Sequence, residues 1–297
     1  MVTIILQSIL SLLTAFVIGI FFMGLFRIIM ARIHWRYGPP LVQPLIDIAR
    51  CFTQKSISHG TLFDMGLILS LAGSLLVLLF IPFGNWRPMN GSGGLLVILY
   101  LMLVIPFAMA LSGGAGGNPN ISIGISRKFI LSLGYEVPFL FIVLAVMTQY
   151  KSISLVEIVR QQQGSHWALF SWQLCLPGIA YFLILPAMLG MRPFDIASAP
   201  QEISSGPMVE YGGKYLALAH IEHAFGLSIT TALFVNLFLG GADNIVIFFV
   251  KMLVVFILSL FVHAVFPRFR VEQAIKYLWK WPTALAFAGL VITMLMK

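Results

Sequence analysis

Residues 245–266 read IVIFFVKMLVVFILSLFVHAVF, an apolar run in which Lys251 is the only Asp, Glu, Lys or Arg. A helix that spans a bilayer needs about 20 mostly apolar residues, so this run is long enough to cross. Windows of the same kind recur along the chain, which predicts an all-α, polytopic membrane protein with about eight transmembrane helices. The eight predicted spans are roughly 3–26, 63–83, 93–112, 128–150, 168–189, 219–240, 245–266 and 276–296.

Composition supports the bilayer as the main solvent. Hydrophobic residues make up 60% of the chain and charged residues 9%, with a mean hydropathy of +0.98. Soluble domains carry about 25% charged residues, so this chain lacks the charge to cover a water-facing surface and a soluble enzyme is excluded. Cys51 and Cys175 form no CxxC pair, so we expect no Fe–S, zinc or disulfide framework. Without a visible repeat or linker, we predict one integral membrane domain, 1–297.

The basic residues predict the orientation. Twelve of them fall in or beside the odd-numbered loops, against four in the opposite loops. Because cytoplasmic loops are enriched in Lys and Arg, we expect the odd loops in the cytoplasm, the longest being about 27–62 and 190–218, and both termini outside. The net charge of +8 is therefore interpreted as topology, not as a nucleic-acid surface. The twelve are Arg27, Arg32, Arg36, Arg50, Lys55, Arg127, Lys128, Arg192, Lys214, Arg268, Arg270 and Lys276; the four are Arg87, Lys151, Arg160 and Lys297.

Three of the ionisable residues inside predicted spans stand out: Glu136, Glu222 and Lys251. A charge near the bilayer centre costs at least ~2.5 kcal/mol on insertion scales, so it usually faces a cavity, a partner or a proton path. A structural alternative is that the glutamates are near-surface anchors, or that one pairs with Lys251. His220 and His223 share a helix face, but without further ligands we interpret them as interfacial rather than zinc-binding.

The loop 190–215 carries three acidic residues, Asp195, Glu202 and Glu210, among apolar and turn-forming residues. A loop of this length is often functional. A solvated loop rarely keeps apolar residues such as Phe194 and Tyr211, so we expect this segment to pack under a partner.

Several motifs in chain order resemble the H-type membrane subunit of respiratory complex I and its relatives in energy-converting membrane-bound [NiFe]-hydrogenases. Within the loop 190–215 the resemblance rests on Pro-Phe-Asp at 193–195, Gln-Glu-Ile at 201–203 and Glu-Tyr-x-Gly at 210–213. Elsewhere it rests on RYGPPLVQPLID at 36–47, GYEVP at 134–138, Glu222, Lys251 and FPRFRVEQ at 266–273. That family has eight helices.

Departures from the quinone-reducing members favour the hydrogenase branch. The first cytoplasmic segment is short after Gly38-Pro39-Pro40, and Ser198 and Pro200 stand where those members carry glutamates. The resemblance then implies a membrane anchor and coupling subunit, itself non-catalytic and without cofactors. Its expected partners are an Fe–S small subunit and a [NiFe] large subunit on the cytoplasmic face, and antiporter-like subunits in the plasma membrane of a prokaryote.

The resemblance also suggests roles for individual residues. In our hypothesis, a redox step in the docked arm shifts charge near the three loop acids and changes the protonation of Glu136 and Glu222. The shift then passes laterally through Lys251. The residues expected to contact partners are Arg36, Gly38, Pro39, Gln43, Pro44, Asp47, Arg192, Pro193, Phe194, Tyr211, Arg268 and Arg270.

Three alternatives stay open. The first is the quinone-chamber subunit of a complex I-type dehydrogenase, and the second is a sulfur-reducing relative of the hydrogenases. The third, from another class, is a stand-alone secondary transporter, which the lack of a visible internal repeat disfavours.

Overall fold

The computed structural model describes residues 2–89, 94–163 and 167–296, and their regular secondary structure is helical. Short 3₁₀ turns at Ala168–Phe170 and Gly206–Met208 complete the elements. The α-helices are α1 (Val2–Ile33), α2 (Gln43–Thr53), α3 (Thr61–Phe80), α4 (Leu95–Gly114), α5 (Pro119–Tyr150), α6 (Leu155–Gln163), α7 (Cys175–Met188), α8 (Pro200–Ile203), α9 (Lys214–Phe238), α10 (Ile245–Val265) and α11 (Val271–Leu295).

Seven helices of the described residues are long and apolar enough to cross a membrane: α1, α3, α4, α5, α9, α10 and α11. The predicted fifth span, 168–189, contains only the 14-residue α7, which is about 21 Å long and shorter than a hydrocarbon core of about 30 Å. The residues before α7 form a 3₁₀ turn and a loop instead of continuing the helix. The polytopic all-helical fold is confirmed. It has seven long apolar helices among the described residues, and α7 is a shorter apolar helix in the place of the predicted fifth span.

The loops gather at two ends of the bundle. At the basic end, defined as the connections 34–60, 115–118, 189–213 and 266–270, the backbone N–H of Arg192 donates to Nδ1 of His263 (2.8 Å). At the far end, defined as the described parts of 81–94, 151–174 and 239–244, Arg87 pairs with Asp243 (3.1 Å). The odd-numbered loops therefore share one end, as the charge pattern predicts. That this end faces the cytoplasm stays a prediction, and Lys297 lies outside the described residues.

Helix α9 forms the centre of the bundle, and most of it is buried inside the protein. Small residues let α1 approach it closely, because a Cβ placed on Gly19 would lie 2.1 Å from the carbonyl oxygen of Ala224. Ser228 of α9 donates to the carbonyl of Ala15 at 2.6 Å, which adds a hydrogen bond at the same contact. The buried polar residues of α9 therefore face the protein interior rather than lipid; they are Glu222, Ser228, Thr230, Thr231 and Asn236.

Besides the start of α7, two helix boundaries differ most from the sequence prediction. Helix α1 continues to Ile33, and α5 begins at Pro119 instead of near residue 128. The side chain of Asn118 accepts the backbone N–H of Asn120 at 3.0 Å, and Pro119 suits the first helical position, so the pair starts α5 early. Lys128 therefore lies inside a helix and not in a loop.

Candidate functional site

A cavity of about 240 Å³ lies between α4, α5, α7, α9 and the loop segment of the basic end. Its wall combines flexible apolar side chains with a few polar and charged groups, and its volume is enough for several water molecules. The polar and charged lining comprises Lys128, Tyr135, Asp195, Ser198, Ser205, Glu222, His223 and Thr230; the methionines are Met102, Met109, Met188 and Met208.

Glu222 lies in the third turn of α9, is 7% exposed, and lines this cavity. Lys128 of α5 lines the same cavity and interacts electrostatically with Glu222. Its ammonium contacts the sulfur of Met109 at 2.7 Å. His223, the next residue of α9, also lines the cavity. The structure thus places an unexpected cation opposite a predicted functional carboxylate.

Tyr135 is near both glutamates that sequence analysis selected. It lines the cavity together with Glu222, and it precedes Glu136 in the chain. Glu136 follows it on α5, is half-buried, and is not among the residues that line the cavity. The motif GYEVP was recognised from the sequence, but the position of its tyrosine in the cavity wall depends on tertiary packing.

Two acids of the loop 190–213 are held by arginines from other elements. Arg268, before α11, binds Asp195 at 3.1 Å and lies 3.8 Å from Glu202. Arg127 of α5 binds Glu202 at 2.7 Å, and this hydrogen bond holds the pKa of Glu202 below its usual range. Ser198 donates a hydrogen bond to Asp195, which itself lines the cavity. The arginine-bound acids therefore link the protein surface to the cavity wall.

Glu210, the third acid, lies in a separate group. One of its oxygens is 3.9 Å from Nε2 of His59, in the connection before α3. The neighbouring Tyr211 packs its ring against Phe63, with centroids 5.3 Å apart, and burial raises the pKa of its hydroxyl. The predicted set of three loop acids is thus divided between two places.

Lys251 lies at the far end and contacts neither selected glutamate. Its ammonium donates to the carbonyl oxygens of Leu239 (2.7 Å) and Gly241 (2.5 Å), just beyond α9, and lies 4.7 Å from the centre of the Trp167 ring. A cation at the C-terminal end of a helix is favourable, because the last carbonyls lack helical partners. The alternative in which Lys251 pairs with Glu136 or Glu222 is therefore wrong.

The residues predicted to bind partners differ in exposure. Arg36 and Arg270 are exposed at the basic end, and Arg36 lies between Trp35 (98% exposed) and Tyr37 (93% exposed). Asp47 instead binds Arg27 at 2.6 Å, and Gln43 donates to it at 2.8 Å. The Arg27 hydrogen bond holds the pKa of Asp47 below its usual range.

The remaining predicted contacts pack within the chain. Phe194 is 2% exposed and packs its ring against Phe269 and Tyr277. Pro193 accepts a backbone hydrogen bond from Phe269 at 2.9 Å. These contacts fix the loop to the start of α11. The buried members of the set are Pro44, Pro193, Phe194 and Tyr211, and the half-buried members are Gly38, Pro39, Gln43, Asp47, Arg192 and Arg268.

The histidines of α9 do not share one site. His223 lines the cavity, whereas His220 interacts electrostatically with Arg27 and Asp47. Within the part of the chain that the structure describes, no group of three or more His, Cys, Asp or Glu residues could hold a metal ion. The two histidines therefore have different surroundings, one beside the cavity and one beside the ion pair of α1 and α2.

Comparison with known proteins identifies the family. Residues 6–294 match the family model described as NADH dehydrogenase. The chain is 28% identical to the H-type subunit of the NADH-quinone oxidoreductase of Protochlamydia amoebophila, over 90% of this chain and 89% of that protein. It is 30% identical to hydrogenase-4 component C of Escherichia coli over 80% of each.

A solved structure extends the likeness to the whole fold. A chain of the membrane-bound sulfane sulfur reductase, an archaeal respiratory membrane complex, is 38% identical and aligns with a TM-score of 0.94 over 98% of this chain and 99% of that one. The homologues are thus components of complex I-like and hydrogenase-related respiratory complexes, as the sequence motifs indicate. The chain belongs to the NADH dehydrogenase family, as a multi-pass membrane subunit related to the H-type subunit of complex I.

Proposed function

We propose that this chain is the membrane anchor and coupling subunit of an energy-converting [NiFe]-hydrogenase in a prokaryotic plasma membrane. It links electron transfer in a docked soluble arm to the translocation of H⁺ or Na⁺. The observation that carries this proposal is the shared cavity: Asp195 of the surface loop and the buried Glu222 line the same space. Relatives in hydrogenase-4 and in other respiratory complexes support the assignment.

The ion-pair network supplies a route from the surface to the cavity. A charge change in the docked arm alters the field at Glu202, which is 51% exposed and bound to Arg127. Arg268 lies between Glu202 and Asp195, so the change reaches the cavity wall through one guanidinium. Inside the bundle, where the effective dielectric constant is low, charges interact more strongly than in water. The protonation of Glu222, and of Glu136 through Tyr135, then responds to the redox step.

The basic end offers the surface for the soluble arm. Trp35, Arg36 and Tyr37 form an exposed aromatic and basic group, and Arg270 is exposed at the same end. Aromatic residues and arginine are enriched where protein partners bind. In this proposal an Fe–S small subunit and a [NiFe] large subunit dock there and carry all cofactors, while antiporter-like subunits bind the membrane-embedded sides.

The test is purification of the chain with its native partners in a mild detergent, followed by nickel analysis and a hydrogen-evolution assay on one sample. Nickel together with hydrogen evolution supports the proposal. Quinone-dependent oxidation of a donor without nickel assigns the chain to a complex I-type dehydrogenase instead. An isolated chain that transports ions without Fe–S partners contradicts both assignments.

A second candidate is the membrane subunit of a sulfane sulfur reductase. It is favoured by the 38% identity over 98% of the chain to the solved reductase chain, compared with 30% over 80% for hydrogenase-4 component C. The same purified sample distinguishes the two, because a reductase consumes a sulfane-sulfur donor, whereas a [NiFe]-hydrogenase contains nickel and evolves hydrogen. In both cases the coupling role proposed for this subunit is the same.

A further inference from the structure

Lys128 is a half-buried cation at the cavity that the proposed function does not use. It follows the first two turns of α5, and its side chain enters the cavity beside Met109. A thioether sulfur is a weak hydrogen-bond acceptor, so Met109 does not balance the charge of the ammonium. Burying an unbalanced charge is expensive, which makes the nearest available anion the important neighbour.

The titratable and charged groups that face Lys128 come from three elements. They are Glu222 and His223 of α9, Tyr135 of α5 itself and Asp195 of the loop. Asp195 is already bound by Arg268 and by the hydroxyl of Ser198. Glu222, by contrast, appears in none of the ion pairs formed by the described residues, and Lys128 is the cation that interacts with it electrostatically.

The arrangement of the two groups differs from a closed salt bridge. The nitrogen of Lys128 and the carboxylate of Glu222 are not within the 4.0 Å of an ion pair, and both border the cavity of about 240 Å³. Such a space can hold water, which bridges polar groups and carries protons between them. The two groups therefore border one space in which water can reach both of them.

We propose that Lys128 is the internal counter-ion of Glu222, so that the pair, and not Glu222 alone, takes up and releases the proton during coupling. This inference rests on the proposed function and names a positioning residue for it. With Lys128 as ammonium and Glu222 as carboxylate, the pair is neutral overall. Uptake of one proton by the carboxylate gives a carboxylic acid beside the ammonium, with one net positive charge, and release of that proton restores the neutral pair.

The consequence of removing the counter-ion follows from this charge balance. A carboxylate that loses its partner cation inside the protein is strongly disfavoured and takes a proton to become neutral. In the variant Lys128→Met the side chain keeps most of its length and apolar stem, so packing is largely preserved. Glu222 then remains a carboxylic acid, and its protonation no longer alternates when the redox state changes.

The experiment uses the complete purified complex, reconstituted into vesicles, with four variants, one of which is Glu222→Gln. Lys128→Met removes the charge, Lys128→Arg retains it, and Lys276→Met removes an exposed lysine at the basic end as the matched control. Electron transfer and ion translocation are measured together. Infrared difference spectra follow the carboxylic-acid C=O stretch of Glu222, identified as the band that is lost in Glu222→Gln.

We expect Lys128→Met to retain electron transfer and to lose ion translocation. The carboxylic-acid band of Glu222 should persist in this variant to a pH about one unit or more above that of the wild type. Lys128→Arg and Lys276→Met should behave as the wild type. A wild-type band and normal translocation in Lys128→Met overturn the inference. If Glu222→Gln also translocates normally, the proposed function of Glu222 fails as well; if only Glu222→Gln fails to translocate, the counter-ion inference alone is rejected.

Discussion

The two ends of the bundle use buried polar groups in different ways. At the far end Lys251 donates to two backbone carbonyls, and the amide nitrogen of Gln162 donates to the carbonyl of Leu237 at 2.9 Å. Asn236 similarly donates to the carbonyl of Pro82 at 3.0 Å. At the basic end the buried Glu222 lines one cavity together with the half-buried Asp195 and Lys128 and with His223. The first set joins segments of backbone, whereas the second surrounds a space.

This difference separates structural from functional charges inside a membrane protein. A backbone carbonyl cannot gain or lose a proton, so the hydrogen-bond acceptors of Lys251 keep the same charge when the redox state changes. The carboxylate of Glu222 can change its charge, and the cavity gives it space for water and a counter-ion with which to do so. An ionisable residue within a span is thus a functional candidate only once its partner is known.

The largest effect is expected for Glu222→Gln. Glutamine preserves the shape but cannot ionise, so electron transfer should continue in the reconstituted complex while ion translocation is abolished. A pH- or Na⁺-sensitive dye inside the vesicles measures translocation beside the electron-transfer rate. Glu157→Gln, at an exposed far-end glutamate that accepts a hydrogen bond from Ser152, is the matched control. Normal translocation by Glu222→Gln would remove the functional distinction between the two ends.

The second effect concerns Lys251→Met. Loss of two charge-assisted hydrogen bonds beyond the end of α9 should lower the stability of the subunit by about 2 kcal/mol, with no change in ions translocated per electron. Thermal unfolding of the detergent-solubilised complex measures the first quantity and vesicle assays the second. Lys151→Met, at an exposed lysine of the same end, should leave both unchanged. If Lys251→Met translocates fewer ions per electron than the wild type, the result would instead support the hypothesis of a lateral path through Lys251.

Much of this architecture can be predicted from the sequence, because the hydropathy and charge of each segment depend only on its own residues. Each window such as 245–266 is recognised from its own residues, and the positive residues group the loops at one end without any knowledge of packing. The glutamates of the candidate site were found in the same way, since a charge within an apolar span stands out in one dimension. The shortness of α7 was missed because 168–174 is nearly as apolar as the helix that follows.

What the sequence does not contain is which residues face each other. Lys128 was counted with the basic residues in or beside the odd-numbered loops, whereas the Asn118–Pro119 start of α5 places the lysine within a helix and in the cavity wall. The partners of Lys251 come from the connection after α9, which no periodicity of α10 reveals. Both errors concern long side chains, whose ends lie several ångströms from the backbone that the pattern describes.

A third effect tests how closely the loop 190–213 depends on its packing against α5. A Cβ on Gly124 of α5 would lie 2.7 Å from Cδ of Pro207 and 2.9 Å from Cα of Gly206, so Gly124→Ala must displace the loop. We expect a loss of about 1–3 kcal/mol in stability and faster proteolysis within 190–213. In Gly117→Ala the new methyl group meets no atom within 4 Å, so this control should match the wild type. Equal proteolysis of both variants would show that the loop does not depend on contact with α5.

The smallest effect on stability is expected at an ion pair of the basic end that does not line the cavity. Asp47 and Arg27 are 2.6 Å apart, with side chains 27% and 34% exposed, so water screens them and the pair contributes about 0.5–1 kcal/mol. Because the folded-state pKa of Asp47 is depressed, this stability is present above the unfolded pKa of about 3.9 and is lost as the pH falls through the folded pKa. Asp47→Asn should therefore lower the unfolding temperature slightly at pH 7, and its difference from the wild type should shrink as the pH falls below about 4.

Translocation by Asp47→Asn should be unchanged, since α2 does not border the cavity. A loss of translocation in this variant would mean that the charges that respond to the redox step extend beyond the cavity to the pair that fixes α2 to α1.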